Sequence, residues 1–199
     1  MRGRASTRVR GFSLIIAMIM LAIIGLASAA IMRNATSGDQ AATSNRLQTQ
    51  ANQYAQLALR FCENQLALAP AARTVAVLSA ANPAAWTAPG NWTTASGTSA
   101  AHTLSATDIG SATQPRVAPQ CMMELTAVPD LYTVTARGFS ADFRADPATG
   151  STRNGSAVWL QATIYAPGDG GAPGADGAAS DSAPTLHQRL WQQLLTPPF

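Results

Sequence analysis

The hydrophobic pattern begins with residues 12–32, FSLIIAMIMLAIIGLASAAIM, a run without a charged residue that follows Arg2, Arg4, Arg8 and Arg10 and is closed by Arg33. At about 1.5 Å of rise per residue, such a helix covers roughly the 30 Å of a bilayer's hydrocarbon core. Residues 12–33 therefore read as a transmembrane helix. From residue 34 the sequence turns polar, yet no proline interrupts it before Pro70. Leu47, Ala51, Tyr54, Ala55, Ala58, Leu59, Cys62, Leu66 and Ala69 recur at helical spacing. That periodicity predicts an amphipathic helix within 34–69, clearest over 45–68, whose stripe docks on a soluble domain. Thr36, Ser37, Gly38 and Thr43 are weaker helix formers and mark a softened turn between the two halves.

Residues 70–119 are rich in Ala, Thr, Ser, Pro and Gly and read as a variable loop region, with a short helix near 74–81. Trp86 and Trp92 are expected to anchor this loop on its own domain rather than to form a binding surface. Across 120–165 the pattern changes to β-branched and aromatic residues with partial alternation, which predicts three strands at 120–128, 131–139 (LYTVTARGF) and 157–165 (AVWLQATIY). Val128, Pro129 and Asp130 supply the first turn, and 142–154 the longer second connection. The predicted fold class is α+β, a long N-terminal helix packed on a small antiparallel sheet. Residues 166–184, of Gly, Ala, Asp, Ser and Pro, form a flexible linker. Helical spacing returns in the amphipathic tail, 185–199, through Leu186, Leu190, Trp191, Leu194 and Leu195. The tail either folds back or docks on another protein, and Leu186, Leu190, Trp191 and Leu194 are the candidate partner-binding residues.

Charge alters this picture less than the overall balance suggests. The formal net charge is +3, but all 13 basic residues are Arg and four of them precede Gly11, leaving nine against ten acidic residues. The nine are scattered singly, so no clustered basic patch for nucleic acid exists. The leading arginines keep the N-terminus cytoplasmic and send the domain outward. On that side of the membrane disulfides persist, and Cys62 and Cys121, far apart and without metal-type spacing, are expected to form one bridge between the helix and a strand.

At the front of the apolar run, Arg10, Gly11, Phe12, Ser13 and Leu14 pass from a basic leader through one glycine directly into apolar sequence. This junction resembles the class III signal of type IV pilins. The resemblance implies that prepilin peptidase removes residues 1–11 by cutting between Gly11 and Phe12, and that Phe12 becomes N-methylated. Most pilins carry a glutamate at the fifth position after the cut, where this chain has Ile16. That substitution is similar to PilX-type minor pilins and to the tip pseudopilins of type II secretion. A carboxylate in lipid is costly unless partnered, so its absence suits a subunit with none above it. Tyr132, Thr135, Ala136, Arg137, Gly138, Gln161 and Tyr165 also resemble the last strands of PilX-type proteins.

The resemblance implies a non-enzymatic minor pilin of a bacterial inner membrane, single-pass with its head in the periplasm, that later enters a pilus on the cell surface. Its partners would be other minor and major pilins through the N-terminal helix, and a large tip adhesin. Its work would be priming of pilus assembly, adhesion, aggregation and twitching motility. A type II secretion tip pseudopilin and a signal-anchored periplasmic binding domain are the competing readings. Ala27, Ser28 and Ala29 could also imitate the cleavage site of an ordinary secretory signal. Catalytic chemistry finds no support: His102 and His187 belong to no triad or metal spacing, and no phosphate-binding or zinc-protease motif occurs. Asp169, Asp176 and Asp181 lack the ligand spacing of a calcium loop. No cofactor or metal is expected.

Overall fold

A proline-free, alanine-rich stretch has no internal reason to stop being helical, and α1 runs Phe12–Leu66 as one helix. The structure is a computed structural model and describes residues 12–93, 99–110, 115–146, 151–167, 184 and 186–195. The softened turn expected at 34–44 does not interrupt α1. There the Thr36 hydroxyl donates to the carbonyls of Met32 and Arg33, at 2.8 and 3.0 Å, and so stays within the helical bonding pattern. Pro70 disfavours helix at the residue before it, and α1 ends at Leu66. Arg73 then turns back, donating from Nη2 to the Leu66 carbonyl and from Nε to the Leu68 carbonyl at 2.9 and 3.0 Å. These bonds satisfy carbonyls that a helix end leaves open.

The chain divides into two units, Met1–Asn45 and Arg46–Phe199. In the first, every described side chain from Leu14 to Arg33 is exposed. This part of α1 supplies the one helix, among the described residues, that is long and apolar enough to cross a membrane.

The second unit is built around a sheet packed on the last turns of α1. Its strands are β1 (Val77–Leu78), β2 (His102–Thr103), β3 (Gln120–Leu125), β4 (Leu131–Phe139), β7 (Ala157–Tyr165) and β8 (Gln188–Leu194). The order is β1-β3-β4-β7-β8, with β2 also paired to β3. Between β4 and β7, β5 (Arg144–Ala145) and β6 (Thr152–Asn154) form a separate hairpin. A four-residue helix, α2 (Ala106–Ile109), follows β2. The layout is α+β, as the hydrophobic pattern predicts, but the sheet is mixed rather than antiparallel. β3, β4, β7 and β8 are antiparallel neighbours, whereas β1 runs parallel to β3. The short helix expected near 74–81 is replaced by β1, because Val77 and Leu78 fill an open edge beside Met123 and Glu124. Between β3 and β4, Asp130 takes a left-handed conformation with φ of 59°, which Asp tolerates better than most residues.

One sheet face meets α1. Cys121 and Met123 of β3, Tyr132, Val134 and Ala136 of β4, and Val158, Leu160, Ala162 and Ile164 of β7 form a core with Ala51, Ala55, Ala58, Leu59, Cys62 and Leu66. Burying Leu59 and Leu66 contributes about 1.5 to 3 kcal/mol each. The small residues serve distance rather than volume. Gly138 lies so close to α1 that a Cβ there would overlap the Ala55 nitrogen and the Ala51 carbonyl oxygen, and come within 2.7 Å of the Tyr54 carbonyl carbon. Since the obstacle is backbone, Gly138→Ala is expected to destabilise the second unit by about 3 kcal/mol, lowering Tm by roughly 6–12 °C. Thermal unfolding followed by circular dichroism measures this, and a Tm within about 2 °C of wild type would refute the close approach.

Candidate functional site

Three surfaces could carry function: the apolar half of α1, the junction of helix and sheet, and the tail. Of the proposed processing residues, Gly11 lies outside the described residues and Phe12 opens α1. Ile16 is 41% exposed on the same apolar surface as Leu14, Met18 and Ile19. No titratable group interrupts that surface from Leu14 to Met32.

At the junction, Cys62 of α1 and Cys121 of β3 form a disulfide with their Cα atoms 6.3 Å apart. Constraining a loop of 59 residues can stabilise the fold by about 4 kcal/mol on the chain-entropy account. Around the bridge, Phe61 stacks on His102, with ring centroids 5.4 Å apart, and His102 Nε2 lies 3.3 Å from Asp108. Burial works to raise the Asp108 carboxyl. The Ser105 backbone N–H, the Ser105 hydroxyl and His102 outweigh it and hold the group below the usual carboxylate range. Ser105 and Asp108 thus form the capping box of α2, and the same Asp108 carboxylate holds the His102 ring.

On the opposite face of the sheet, a second core joins Trp92, Ala101, Met122 and Trp159, with Trp86 and Leu194 packed against it. Trp86 and Trp92 thus pack inward, and Trp92 is 1% exposed. At the centre is a charge, Arg137. Its Nε donates to Gln120 Oε1 and its Nη2 to the Trp92 carbonyl, each at 2.7 Å. The guanidinium also lies 5.1 to 5.3 Å from the ring centroids of Trp92, Phe139 and Trp159. Burial pulls Arg137 down to about 9, so it remains protonated at neutral pH, held by fixed acceptors and ring faces instead of water. Its buried position is an anchoring role that sequence reasoning missed. The available signal was a lone charge in LYTVTARGF at a position facing away from the helix.

The tail departs from expectation. Leu186, Leu190 and Leu194 have helical spacing, yet residues 188–194 form β8 along the outer edge of β7. Leu190 is 73% and Trp191 54% exposed; Leu186 is also exposed, while Leu194 packs on the second core. β8 is secured by Arg189 Nε to Glu63 Oε1 at 2.7 Å, and by a ladder in which Gln192 donates to Gln161 and Gln161 to Thr135. Asp169, Asp176 and Asp181 lie outside the described residues. Among the described residues, no group of three or more His, Cys, Asp or Glu side chains could hold a metal ion.

Comparison with family models, curated proteins and solved structures finds no match to this chain.

Replacing Arg137 tests its anchoring role. Arg137→Ala leaves the Gln120 side-chain oxygen and the Trp92 carbonyl without their donor inside a closed core, and is expected to cost about 2 to 4 kcal/mol. Arg137→Lys cannot reproduce the planar fork and should recover only part of that loss. Chemical denaturation with tryptophan fluorescence measures both; a loss below about 1 kcal/mol for Arg137→Ala would contradict the assignment.

Proposed function

We propose that this chain is a type IV pilus minor pilin of the PilX type, processed between Gly11 and Phe12 and acting through helix packing rather than catalysis. The observation that carries the reading is the division of labour along α1. One helix is uncharged and exposed at every described position from Leu14 to Met32, and it buries an Ala- and Cys-lined stripe against a sheet from Ala51 to Leu66. A helix of that kind can be stored in lipid and then transferred into a bundle of similar helices, so the same surface serves as anchor and as filament core. The Gly11 and Phe12 junction supplies the cut, and the Cys62–Cys121 bridge keeps the head attached to the helix that is transferred.

On this reading the protein resides in a bacterial inner membrane with its head in the periplasm, and then in the pilus, at or near its tip. Its partners are other pilins and a large tip adhesin, with prepilin peptidase as processing enzyme. Its contribution is to priming of assembly, adhesion, aggregation and twitching motility.

Intact-mass and N-terminal peptide analysis of protein recovered from membranes, with and without prepilin peptidase, tests the reading. The expected mature chain begins at N-methylated Phe12 and retains residues 1–11 when the peptidase is absent. A leader that stays intact in both cases would make the protein a plain membrane anchor, and a start after Ala29 would make it a secreted domain. Position in the filament is tested separately. Ile16→Glu, which installs a charge able to engage a subunit ahead, is expected to redistribute the protein along the shaft and to reduce pilus number. Unchanged tip location and pilus number, by immunogold labelling and pilus counts, would remove the terminal assignment.

A further inference from the structure

Between α1 and β8 lies a pocket of about 160 Å³, lined by Gln56, Leu59, Arg60, Leu160, Arg189 and Trp191. It bottoms out on the helix–sheet core at Leu59 and Leu160, which are 2% and 1% exposed, and its exposed apolar wall is the Trp191 ring, 54% exposed. Its rim carries hydrogen-bond donors. Arg60 makes no hydrogen bond or ion pair among the described residues, and neither the Gln56 amide nor the Trp191 indole N–H has a hydrogen-bond partner among them. Arg189 uses Nε on Glu63 and keeps its two terminal nitrogens. Guanidinium and indole groups donate and do not accept. Two arginines against one carboxylate, Glu63, also leave one positive charge in excess at the rim.

We propose that this pocket binds a carboxylate carried on a short apolar stem. The carboxylate lies between Arg60 and Arg189, within reach of Gln56, and the stem lies against the Trp191 ring above Leu59 and Leu160. Arginine suits that role because its planar fork matches the two oxygens of a carboxylate. A cavity of about 150 Å³ accepts benzene, so the volume here fits one small ring or a chain of four to six carbons. A bare inorganic anion would leave the Trp191 ring uncovered. The same chemistry could come from a free organic acid or from an acidic side chain of another protein. The pocket forms only because the tail folds as β8, which brings Arg189 and Trp191 opposite Arg60. The inference does not depend on the pilin reading.

The test uses the full chain in detergent micelles, with the indole N–H resonances in ¹H–¹⁵N spectra as reporters and Trp191→Phe to identify the Trp191 signal. Benzoate should shift that signal saturably and benzamide, its neutral analogue, should not. Inorganic phosphate at equal ionic strength should not displace benzoate. Arg60→Gln, at an exposed position where folding is unaffected, should weaken benzoate binding about tenfold. Titration with a blocked Gly-Glu-Gly peptide distinguishes the sources: tighter binding than benzoate points to an acidic side chain, and weaker or no binding to a free acid. The proposal is overturned if benzoate gives no saturable shift, if benzamide shifts the signal equally, if phosphate displaces benzoate, or if Arg60→Gln, with its fold verified by circular dichroism, binds benzoate as wild type does.

Discussion

Where Gly138 meets the backbone of Ala51 and Ala55, the sheet and α1 approach more closely than any side chain would allow. That distance governs the choice of residues on both elements. On the helix it calls for Ala51, Ala55 and Ala58 rather than larger apolar residues. On the sheet it places Ala136 and Gly138 in β4 and Ala162 in β7, with the larger Tyr132 and Ile164 filling space farther from the contact, against Leu66 at the end of α1. A core that dense tolerates little volume change. The Cys62–Cys121 bridge continues the same interface from α1 to β3 and restrains it covalently.

Burying one face of a sheet leaves the other to be covered, and here irregular chain does the covering. Residues of the loop region have few strong structural preferences, so besides the pairing of β1 and β2 with β3, specific contacts hold them. Trp92 enters the second core, the Trp92 carbonyl receives Arg137, and the Ala85 N–H donates to Glu124 Oε1 at 2.9 Å. Each contact joins a loop segment to a central strand. A charged residue in a core is acceptable when every strong donor meets a fixed acceptor or a ring face, as with Arg137.

The helix was legible because its signal is local. An uncharged run, the absence of proline and a stripe over 45–68 at the helical period survive whatever the sheet does, and the strands at 131–139 and 157–165 announce themselves by β-branched and aromatic content. The tail was not legible. Leu186, Leu190 and Leu194 suit a helix, but Arg189, Trp191 and Gln193 alternate with Leu190, Gln192 and Leu194 equally well in a strand, and only the open edge of β7 decides between them. Val77 and Leu78 are a similar case, since a two-residue strand has no periodicity to read. The role of Arg137 depends on Trp92, 45 residues away, and on Trp159 from another strand, a conjunction that no spacing encodes.

The two units have opposite relations to their surroundings. The second satisfies most of its apolar residues internally: its helix stripe meets one sheet face and its loops cover much of the other, with Leu190 and Trp191 of β8 left exposed. In the first, Leu14, Met18, Leu21 and Leu26 are each at least two-thirds exposed, which makes a continuous apolar surface that water does not favour. On the proposed reading, such a surface is covered first by hydrocarbon and then by other helices. Both coverings are apolar, so exchanging one for the other leaves no polar group unpaired, provided the surface carries no charge that requires a particular partner. Ile16 preserves that freedom. On the proposed reading, the position of this subunit is then set by what its head recognises, because its helix is indifferent to what precedes it.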